Sequence, residues 1–335
     1  MPRAWKISAA YPSNLFHCSG GISRGRICSQ WVVSSGSNAS VGMSPPLVAV
    51  RDPPQCTPSR TADRITAFGV TVFDPMSLNR ALSVMIPAFN EERTLEIILK
   101  HVLEQPEVGE VIAVDDGSTD RTWAIMSRFA ERDPRVRAFR LDTNQGKGAA
   151  LRRAVEEVRM PFALVQDADL EYDPRDYPTL LRPLTEGRAD VVYGVRGFAG
   201  QTAFSFWFVM GNKAVTFAAN LLFDCYISDL ESGYKVLRSD LWRRLNLQGK
   251  RFDIEPDITG RVLRLGYRIH EVPVRYYARS RAEGKKLTWL DGLRAMGELV
   301  RLRLSSYGAL FGRAADPGYH SERQRQLSLR HPLRP

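Results

Sequence analysis

Two aspartates, Asp167 and Asp169, stand one residue apart directly after a short apolar run. Their carboxylate oxygens are hard ligands of the kind that Mg²⁺ and Mn²⁺ prefer, and these ions usually share such ligands with substrate phosphates. The apolar run, residues 162–165, predicts a buried strand, and open α/β sheets bind ligands at the carboxyl ends of their strands. The pair therefore indicates a site for a metal ion and phosphates, although a polar turn after any strand also produces this pattern.

Polar, glycine-bearing or acidic stretches also follow the three preceding predicted strands. These stretches are residues 87–92, 115–120 and 144–148. Because the carboxyl ends of parallel strands meet at one edge of a sheet, all four stretches converge on one crevice. Glycine, Asp and Asn are common in any turn of this kind, but four such loops in succession favour a ligand site.

Strands and helices alternate along the middle of the chain. The predicted strands are short apolar runs at 82–86, 111–114, 136–141, 162–166 and 190–193. The predicted helices between them carry apolar residues at helical spacing and lie at 91–103, 120–131 and 148–158. This order predicts an α/β fold with a mainly parallel, Rossmann-like sheet and helices on both faces.

The second half of the chain reads differently from the first. Residues 202–226 form a long and very apolar segment that is interrupted by a Gly-Asn-Lys stretch. Further helices are predicted at 241–245, 256–265 and 287–304, and a strand at 267–277. The last of these helices carries a leucine-rich stripe flanked by arginines, which predicts an amphipathic helix.

The two ends of the chain differ in composition from the middle. Residues 1–75 are rich in Ser, Gly, Pro and Arg and show no sustained periodicity, which predicts a disordered extension. Its acid-poor composition suggests a transit peptide, while a chain start placed too early is the other interpretation, since Met76 directly precedes the first clear strand. Residues 306–335 are predicted to be a disordered basic tail. Seven of the ten surplus positive charges lie in these two ends, so the charge does not indicate a nucleic-acid partner.

Cysteine usage and hydropathy limit the class of protein. Cys18, Cys28 and Cys56 lie in the first 75 residues, and only Cys225 lies in the middle of the chain. Without a CxxC pattern or a Cys/His cluster, neither a zinc site nor a disulfide framework is expected, and a reducing, cytoplasmic compartment is indicated. No uninterrupted run of about 18 apolar residues occurs, so no transmembrane span is predicted.

The motifs, taken in order, carry a resemblance. Residues 84–91, residues 114–120, the Asn-x-Gly-Lys-Gly stretch at 144–148 and the Asp-x-Asp pair resemble those of family 2 glycosyltransferases, which have the GT-A fold. Within that family they resemble the dolichyl-phosphate and polyprenyl-phosphate mannose and glucose synthases. Residues 228–238 and a basic loop at 279–286 strengthen the resemblance. It covers about residues 80–300.

The resemblance implies a glycosyltransferase domain at 76–305 with two halves. Residues 76–200 would bind the nucleotide sugar, and residues 201–305 would supply helices on the acceptor side.

The resemblance also implies a donor site at the first three loops. Pro87, Phe89 and Glu91 would line the nucleoside pocket, and because the family often has Tyr at the position of Phe89, a hydroxyl contact is lost while ring stacking remains. Asp116 would approach the base or the ribose, since a carboxylate accepts from N–H and O–H donors. Lys147 would reach the base pocket or a phosphate, and a solvated lysine in a first helical turn is the alternative.

By the same resemblance, Asp167, Asp169 and Glu171 would hold Mg²⁺ or Mn²⁺ against the donor diphosphate. The ion would neutralise charge on the leaving nucleoside diphosphate, and we expect Asp169 to be a catalytic residue for this reason.

The basic loop would close over the phosphates of the donor. Arg279 and Lys285 are expected to bind the donor and Arg281 to take part in catalysis, with Lys286 beside them. The alternative is a solvated basic surface loop.

The acceptor decides the mechanism. A lipid phosphate is anionic at neutral pH, because its second pKa is about 6, so it needs cationic anchors rather than a general base; Arg196 and Lys213 are the predicted anchors. A hydroxyl acceptor needs a base, and Asp229 is predicted for that role. The alternative for Asp229 is capping or packing of the turn that follows it.

Together these features predict an inverting, metal-dependent hexosyltransferase. It would use GDP-mannose or UDP-glucose and a polyprenyl (dolichyl) phosphate, and it would lie peripherally at the cytoplasmic face of a membrane. The aromatic segment at 203–210 and the last helix would contact lipid, although such stripes also fit a core or a homo-oligomer contact. A saccharide or small-molecule hydroxyl acceptor is the first alternative, and a catalytically silent nucleotide-binding protein is the second.

Overall fold

The computed structural model describes residues 66–67, 70–71, 79–197, 206–251, 253–278 and 289–312. The basic loop with Arg279, Arg281, Lys285 and Lys286 lies outside these residues, as does most of the extension and of the tail that we predicted to be disordered. Within the predicted extension, β1 (Thr66–Ala67) and β2 (Val70–Thr71) pair in an antiparallel manner.

A seven-stranded sheet forms the centre of the protein, with strand order β5-β4-β3-β6-β8-β7-β9. The strands are β3 (Leu82–Ala88), β4 (Val108–Asp115), β5 (Val136–Arg140), β6 (Phe162–Val165), β7 (Val191–Arg196), β8 (Lys235–Arg238) and β9 (Ile269–Val274). The pairs that involve β8 are antiparallel, and the other four pairs are parallel. Six strands therefore end at the same edge of the sheet.

Helices cover both faces of this sheet. They are α1 (Leu95–Leu103), α2 (Thr122–Arg132), α3 (Lys147–Glu157), α4 (Tyr177–Thr185), α5 (Phe206–Phe223), α6 (Ser239–Arg244), α7 (Ile254–Arg264), α8 (Trp289–Leu304) and α9 (Tyr307–Phe311), with a 3₁₀ turn at Pro174–Asp176. Successive strand residues point to opposite faces: Val84 and Ile86 pack with α1, α2 and α4, whereas Met85 packs with α3, α6 and α7. Burial on both faces explains why β3, β4, β6 and β7 are apolar runs. The layers of helix, sheet and helix confirm the predicted α/β class.

Two elements of the sheet region were not predicted. The strand β8 lies between β6 and β7 and runs against both of them. Its first residue, Lys235, is fully buried, and a lysine hides the apolar pattern of so short a strand. The helix α4 was also missed, because it begins at Tyr177 with a proline in its first turn and has a second proline inside.

The helices α5 and α8, which were predicted to lie on the acceptor side, pack against each other around a small apolar cluster. Val215 and Ala219 of α5 meet Ala295 and Leu299 of α8 there. No helix within the described ranges is long and apolar enough to cross a membrane. The tail begins later than predicted, since the buried residues of α9 pack on the core.

Candidate active site

Four loops meet at the edge where the parallel strands end. Each loop turns through one residue in the left-handed region, namely Asn90, Gly117, Gly146 and Leu170, with φ values of 55°, 70°, 95° and 63°. A leucine rarely adopts this conformation, and such outliers concentrate at functional sites. The structure thus brings together the four loops that the sequence predicted to converge.

The first two loops are fastened to each other by hydrogen bonds. The backbone N–H of Asn90 donates to Ser118 Oγ at 2.9 Å, and the backbone N–H of Thr119 donates to Asn90 Oδ1 at 2.9 Å. Glu91 N–H donates to Thr122 Oγ1 at 2.9 Å. These bonds hold the backbone after β3 outside a helix, so α1 begins at Leu95 rather than at the predicted residue 91.

The predicted nucleoside residues lie along this part of the edge. Pro87 is buried within β3, while Phe89 and Glu91 are partly exposed. The Glu91 carboxylate accepts a hydrogen bond from Thr94 Oγ1 at 2.9 Å. Their contact with a nucleoside stays a prediction.

Asp116 fastens the third loop to the second. Its Oδ1 accepts from Gln145 N–H at 2.8 Å and its Oδ2 from Gly146 N–H at 2.7 Å, and the residue is only 2% exposed. Burial raises the pKa of Asp116, against the lowering effect of these two N–H donors. The carboxylate therefore shapes the donor loop, and its predicted approach to the base or ribose stays a prediction.

Glycine is required twice where the third loop contacts the loop before α7. A Cβ at Gly146 would lie 2.3 Å from the Lys250 carbonyl oxygen, and one at Gly148 would lie 1.9 Å from that of Gly249. The close approach lets Gly148 N–H donate to the Lys250 carbonyl at 2.9 Å. The start of α3 is thereby placed beside the start of α7.

Lys147 is an ion-paired residue of the site and not a solvated lysine. Its Nζ lies 2.7 Å from Asp167 Oδ1 and 2.9 Å from Glu255 Oε1, and its side chain is 24% exposed. Burial alone would lower the pKa of Lys147, but the two carboxylates outweigh burial and raise it. The residue therefore stays charged at neutral pH and faces the Asp-x-Asp pair.

Asp167 and Asp169 lie in the turn that follows β6, and both are partly exposed. Asp169 Oδ1 accepts from Glu171 N–H at 3.2 Å, which closes the turn. A Cβ at Gly233 would lie 2.5 Å from Asp167 Oδ2, so glycine leaves room for that carboxylate. Partly exposed carboxylates on a tight turn fit Mg²⁺ or Mn²⁺, which complete their coordination with phosphates and water.

Glu171 is engaged elsewhere. Tyr276 Oη donates to its Oε2 at 2.6 Å. Within the described residues, no group of three or more His, Cys, Asp or Glu side chains is arranged to hold a metal ion. The three-carboxylate ligand set therefore remains a prediction, with Asp167 and Asp169 fitting it better than Glu171.

Arg196 and Asp229 form a buried ion pair, which differs from both predicted roles. Arg196 Nε and Nη2 each lie 2.7 Å from an oxygen of Asp229, and Asn212 Nδ2 donates to Asp229 Oδ1 at 2.9 Å. Arg196 is 8% and Asp229 1% exposed. Burial alone would raise the pKa of Asp229, but Arg196 outweighs it and lowers the pKa. In this conformation Arg196 is not a free phosphate anchor, and Asp229 is poorly suited to take up a proton.

Lys213 lies close to this pair but faces outward. It is exposed on α5, and its Nζ donates to the Ser228 carbonyl at 3.0 Å. Its role as a phosphate anchor stays a prediction.

The sequence analysis missed three charged residues beside the site. Glu255 bridges Lys147 and Lys235 from the first turn of α7. Glu231 lies two residues before Gly233, and burial, followed by repulsion from Glu255, raises its pKa to about 7. The only sequence signal for Glu231 is its place in the stretch 228–238. Lys147 and Glu255 stand 108 positions apart, so no spacing could connect them.

We expect Glu231→Gln to stabilise the protein at pH 8 but not at pH 5. A carboxyl whose pKa is raised from 4.5 in the unfolded chain to about 7 contributes stability below pH 4.5 that is lost as the pH rises through 7. The amide that replaces this carboxyl does not ionise beside Glu255 and Asp229, and loses only the attraction to Lys235 and Arg196. Thermal melts should therefore diverge between pH 5 and 8, by about 2–4 °C for each kcal/mol. The expectation would be contradicted if Glu231→Gln and the unmodified protein differed in melting temperature by the same amount at pH 5 and pH 8. It would also be contradicted if the exposed control Glu186→Gln showed the same dependence on pH.

The chain is similar in sequence to known proteins over the part that contains the four loops. The model of the family described as "Glycosyl transferase family 2" matches residues 83–245, which include the four loops and β8. Undecaprenyl-phosphate mannosyltransferase of Micrococcus luteus is 29% identical over 216 residues, covering 62% of this chain and 87% of the relative. Dolichyl-phosphate beta-glucosyltransferase of Trichomonas vaginalis is 25% identical over 253 residues, covering 70% of this chain and 76% of the relative.

A solved structure shares the fold. Glucosyl-3-phosphoglycerate synthase from Mycobacterium tuberculosis, in complex with Mn²⁺, UDP-glucose and phosphoglyceric acid, superposes with a TM-score of 0.52. The two chains are 23% identical, and the match covers 73% of this chain and 88% of the other. This similarity supports the fold assignment only.

Proposed function

We propose that this chain, whose residues 83–245 belong to glycosyl transferase family 2, transfers a hexose from a nucleoside-diphosphate sugar to a polyprenyl (dolichyl-type) phosphate. That it is a glycosyltransferase follows from the family and from its relatives. The donor and the acceptor are the proposal. The names of the two relatives, a mannosyl and a glucosyl transferase for lipid phosphates, support mannose or glucose as the transferred hexose, and GDP-mannose or UDP-glucose is the proposed donor.

The donor half of the proposal rests on the edge where the four loops meet. Asp167 and Asp169 would hold Mg²⁺ or Mn²⁺, and the ion, when bound, supplies charge neutralisation for the leaving nucleoside diphosphate. Lys147, 2.7 Å from Asp167, adds a positive charge within reach of the same phosphates. Pro87, Phe89 and the loop that Asp116 fastens would enclose the nucleoside. The role of the basic loop at 279–286 stays a prediction, because these residues lie outside the described ranges.

One observation carries the lipid acceptor: the outward face of α5 is apolar. Phe206, Met210, Phe217 and Leu221 are 65%, 46%, 68% and 73% exposed and recur at helical spacing. Lys213 lies on the same exposed stripe. Contiguous apolar residues beside a cation are typical of helices that lie in a membrane interface, and a prenyl chain would run along this face with its phosphate at Lys213.

The neighbouring helix α8 continues this apolar character. Leu290, Leu293, Val300 and Leu304 are between 43% and 80% exposed. Arginines at 294, 301 and 303 stand among them and suit anionic head groups. The proposed location is therefore peripheral, at the cytoplasmic face of a membrane.

The proposed reaction needs no protein base. An oxygen of the acceptor phosphate, already anionic near pH 7, attacks the anomeric carbon from the side opposite the leaving diphosphate, which inverts that centre. The protein's task is to align the two substrates and to stabilise the leaving group.

We expect the double variant Phe217→Ser/Leu221→Ser to lose lipid glycosylation while it keeps donor binding. Full burial of one such side chain is worth about 1.5–3 kcal/mol, so even partial insertion of both predicts a loss of about tenfold or more. The measurement is transfer of radiolabelled hexose from GDP-mannose and UDP-glucose into the organic phase, with polyprenyl-phosphate vesicles and Mn²⁺, alongside vesicle flotation. Ile97→Ser on α1, which is 43% exposed, is the matched control. Label confined to water-soluble product from the unmodified protein would exclude the lipid acceptor.

A hydroxyl acceptor is the second candidate, and Glu231 favours it. Asp229 is a poor base in its ion pair, whereas a carboxyl with a pKa of about 7 can take up a proton at neutral pH. This candidate predicts water-soluble product and a rate that rises through pH 7 in the unmodified protein but not in Glu231→Gln.

A further inference from the structure

A chain of four alternating charges runs from the Asp-x-Asp turn into the core. Asp167 contacts Lys147, Lys147 contacts Glu255, and Glu255 contacts Lys235. Two positive and two negative groups cancel in formal charge. They come from four separate parts of the fold: the turn after β6, the start of α3, the start of α7 and the start of β8. The exposed end of this chain is the carboxylate at the proposed metal site.

Lys235, the innermost member of this row of charges, is held firmly in place. Lys235 is fully buried, and its ammonium donates to the carbonyls of Leu230 (3.0 Å) and Ser232 and to Glu255 Oε2. These are three acceptors for the three N–H bonds of a lysine. Glu255 is 7% exposed, and its carboxylate contacts Lys235 through one oxygen and Lys147 through the other. Glu255 is therefore a rigid support.

The contact between Lys147 and Asp167, at the outer end of this row of charges, is less constrained. Glu255 Oε1 is 2.9 Å and Asp167 Oδ1 2.7 Å from Lys147 Nζ, and the Lys147 side chain is 24% exposed. Lysine is a compact charge on a flexible stem that can shift between acceptors. Because both contacts of Lys147 Nζ are with carboxylates, Nζ could leave Asp167 and keep its contact with Glu255.

We propose that Lys147 is a built-in counter-ion of Asp167, presented by the positioning residue Glu255, and that a divalent cation must displace it. This inference rests on the proposed metal-diphosphate site. Lys147 then opposes metal binding to the nucleotide-free protein, because it occupies one Asp167 oxygen and repels the incoming cation. A diphosphate arriving with the ion offers Lys147 a new anionic partner. Metal and nucleotide therefore bind with positive coupling, which is reciprocal by thermodynamic necessity.

This arrangement explains two features that a simple phosphate-binding lysine would leave unexplained. The first is the carboxylate of Glu255 behind Lys147, which lowers the lysine's attraction for any phosphate but keeps it aimed at Asp167. The second is the tight glycine contact at Gly146 and Gly148, which brings the starts of α3 and α7 close enough for the bridge.

The test is a titration of Mn²⁺ into the full-length protein, alone and with saturating GDP or UDP, read from the EPR signal of the unbound ion. In the nucleotide-free protein we expect Lys147→Met to lower the Kd for Mn²⁺ at least about tenfold. The diphosphate should then tighten Mn²⁺ binding by a smaller factor than in the unmodified protein. Lys147→Arg keeps the positive charge, so its Kd for Mn²⁺ should stay close to that of the unmodified protein.

Two further variants separate displacement from general electrostatics. Lys250→Met removes an exposed charge near the start of α3 that is not paired with Asp167, and its Kd for Mn²⁺ should stay within about twofold of the unmodified value, because exposed charges are screened. Glu255→Gln keeps an oxygen for Lys235 but leaves Lys147 to Asp167 alone, so the Kd should rise. We therefore expect Lys147→Met to lower the Kd for Mn²⁺ and Glu255→Gln to raise it.

The outcomes distinguish this inference from the proposed function. If Mn²⁺ binds the unmodified protein with GDP or UDP, but Lys147→Met leaves the nucleotide-free Kd unchanged or raises it, the displacement of Lys147 is wrong while the metal site stands. An equal change with Lys250→Met also overturns it. If Mn²⁺ binds neither alone nor with either diphosphate, the proposed metal site fails and this inference fails with it.

Discussion

Replacing Asp229 by Ala is expected to lower the free energy of unfolding by about 3–5 kcal/mol, the usual cost of leaving one member of a buried ion pair alone. The guanidinium of Arg196 would remain 8% exposed without its two 2.7 Å contacts, and Asn212 would lose its acceptor. At about 2–4 °C for each kcal/mol in a domain of this size, the melting temperature should fall by about 6–20 °C. Urea and thermal unfolding at pH 7 measure both quantities.

The cause of this loss can be isolated with two comparisons. The double variant Arg196→Met/Asp229→Leu removes both charges and should recover most of the stability, because replacing a whole buried pair is often neutral. Glu96→Ala, which breaks exposed pairs with Lys100 and Arg128, should cost far less than Asp229→Ala, because exposed ion pairs contribute little to stability. An Asp229→Ala cost as small as that of Glu96→Ala would show that the ion pair does not support the fold.

The effect of Asp229→Ala should also depend on pH. Because Arg196 lowers the pKa of Asp229, the stabilisation is present above the unfolded pKa of 3.8 and is lost as the pH falls through the folded value. The difference between Asp229→Ala and the unmodified protein should therefore be constant from pH 5 to 8 and shrink below about pH 4.

Asp229→Asn separates a structural role from a catalytic one. A base at Asp229 predicts a normal fold, normal donor binding and no turnover for this variant. The ion pair predicts a less stable protein whose remaining folded fraction still turns over.

The edge of the sheet where the four loops meet could be predicted from the sequence, because short apolar runs predict the strands and the polar stretches after them predict the loops. The strands β3, β4, β6 and β7 are apolar runs since both faces of each strand are buried, and the loops that follow β3 to β6 bear the polar residues. Leu170 at positive φ shows where local preference was overridden: the turn that presents Asp169 adopts a conformation that its sequence does not favour. Helix starts were placed less accurately, since loop-to-loop bonds such as that of Glu91 to Thr122 are not local.

Residue types at the site were predictable, but their partners were not. Asp116, Arg196 and Asp229 were singled out from the sequence, yet each bonds to residues about 30 positions away. A carboxylate bonded by two backbone amides shapes a loop, and one bonded by arginine neutralises a charge. Only the partly exposed carboxylates of the Asp-x-Asp turn are proposed to hold a metal. Lys235 and Glu255 were missed for the same reason, because a buried lysine is indistinguishable in sequence from an exposed one until its carboxylate is placed beside it.

Asp169→Asn is expected to reduce turnover by at least about 10²-fold without unfolding the protein. A metal ion contributes several kcal/mol of charge stabilisation at a leaving group, and each 1.36 kcal/mol is a factor of ten in rate. Asparagine keeps an oxygen for the Glu171 N–H, so the turn should survive, and the melting temperature should change little. Initial rates in Mn²⁺ and calorimetric titration of GDP or UDP, with and without Mn²⁺, measure the two consequences.

The control for Asp169→Asn lies at the opposite edge of the sheet. The Asp240 side chain is 44% exposed and pairs with Arg238. Arg238 is registered against Phe162 at the start of β6, because β8 runs against its neighbours. Asp240→Asn makes the same chemical change away from the four loops and should leave rate and binding unchanged. If Asp169→Asn lowers turnover but not Mn²⁺-dependent nucleotide binding, Asp169 acts on the transferred sugar rather than on the metal. If it changes neither, the Asp-x-Asp turn does not bind the donor diphosphate, and a catalytically silent protein becomes the better interpretation.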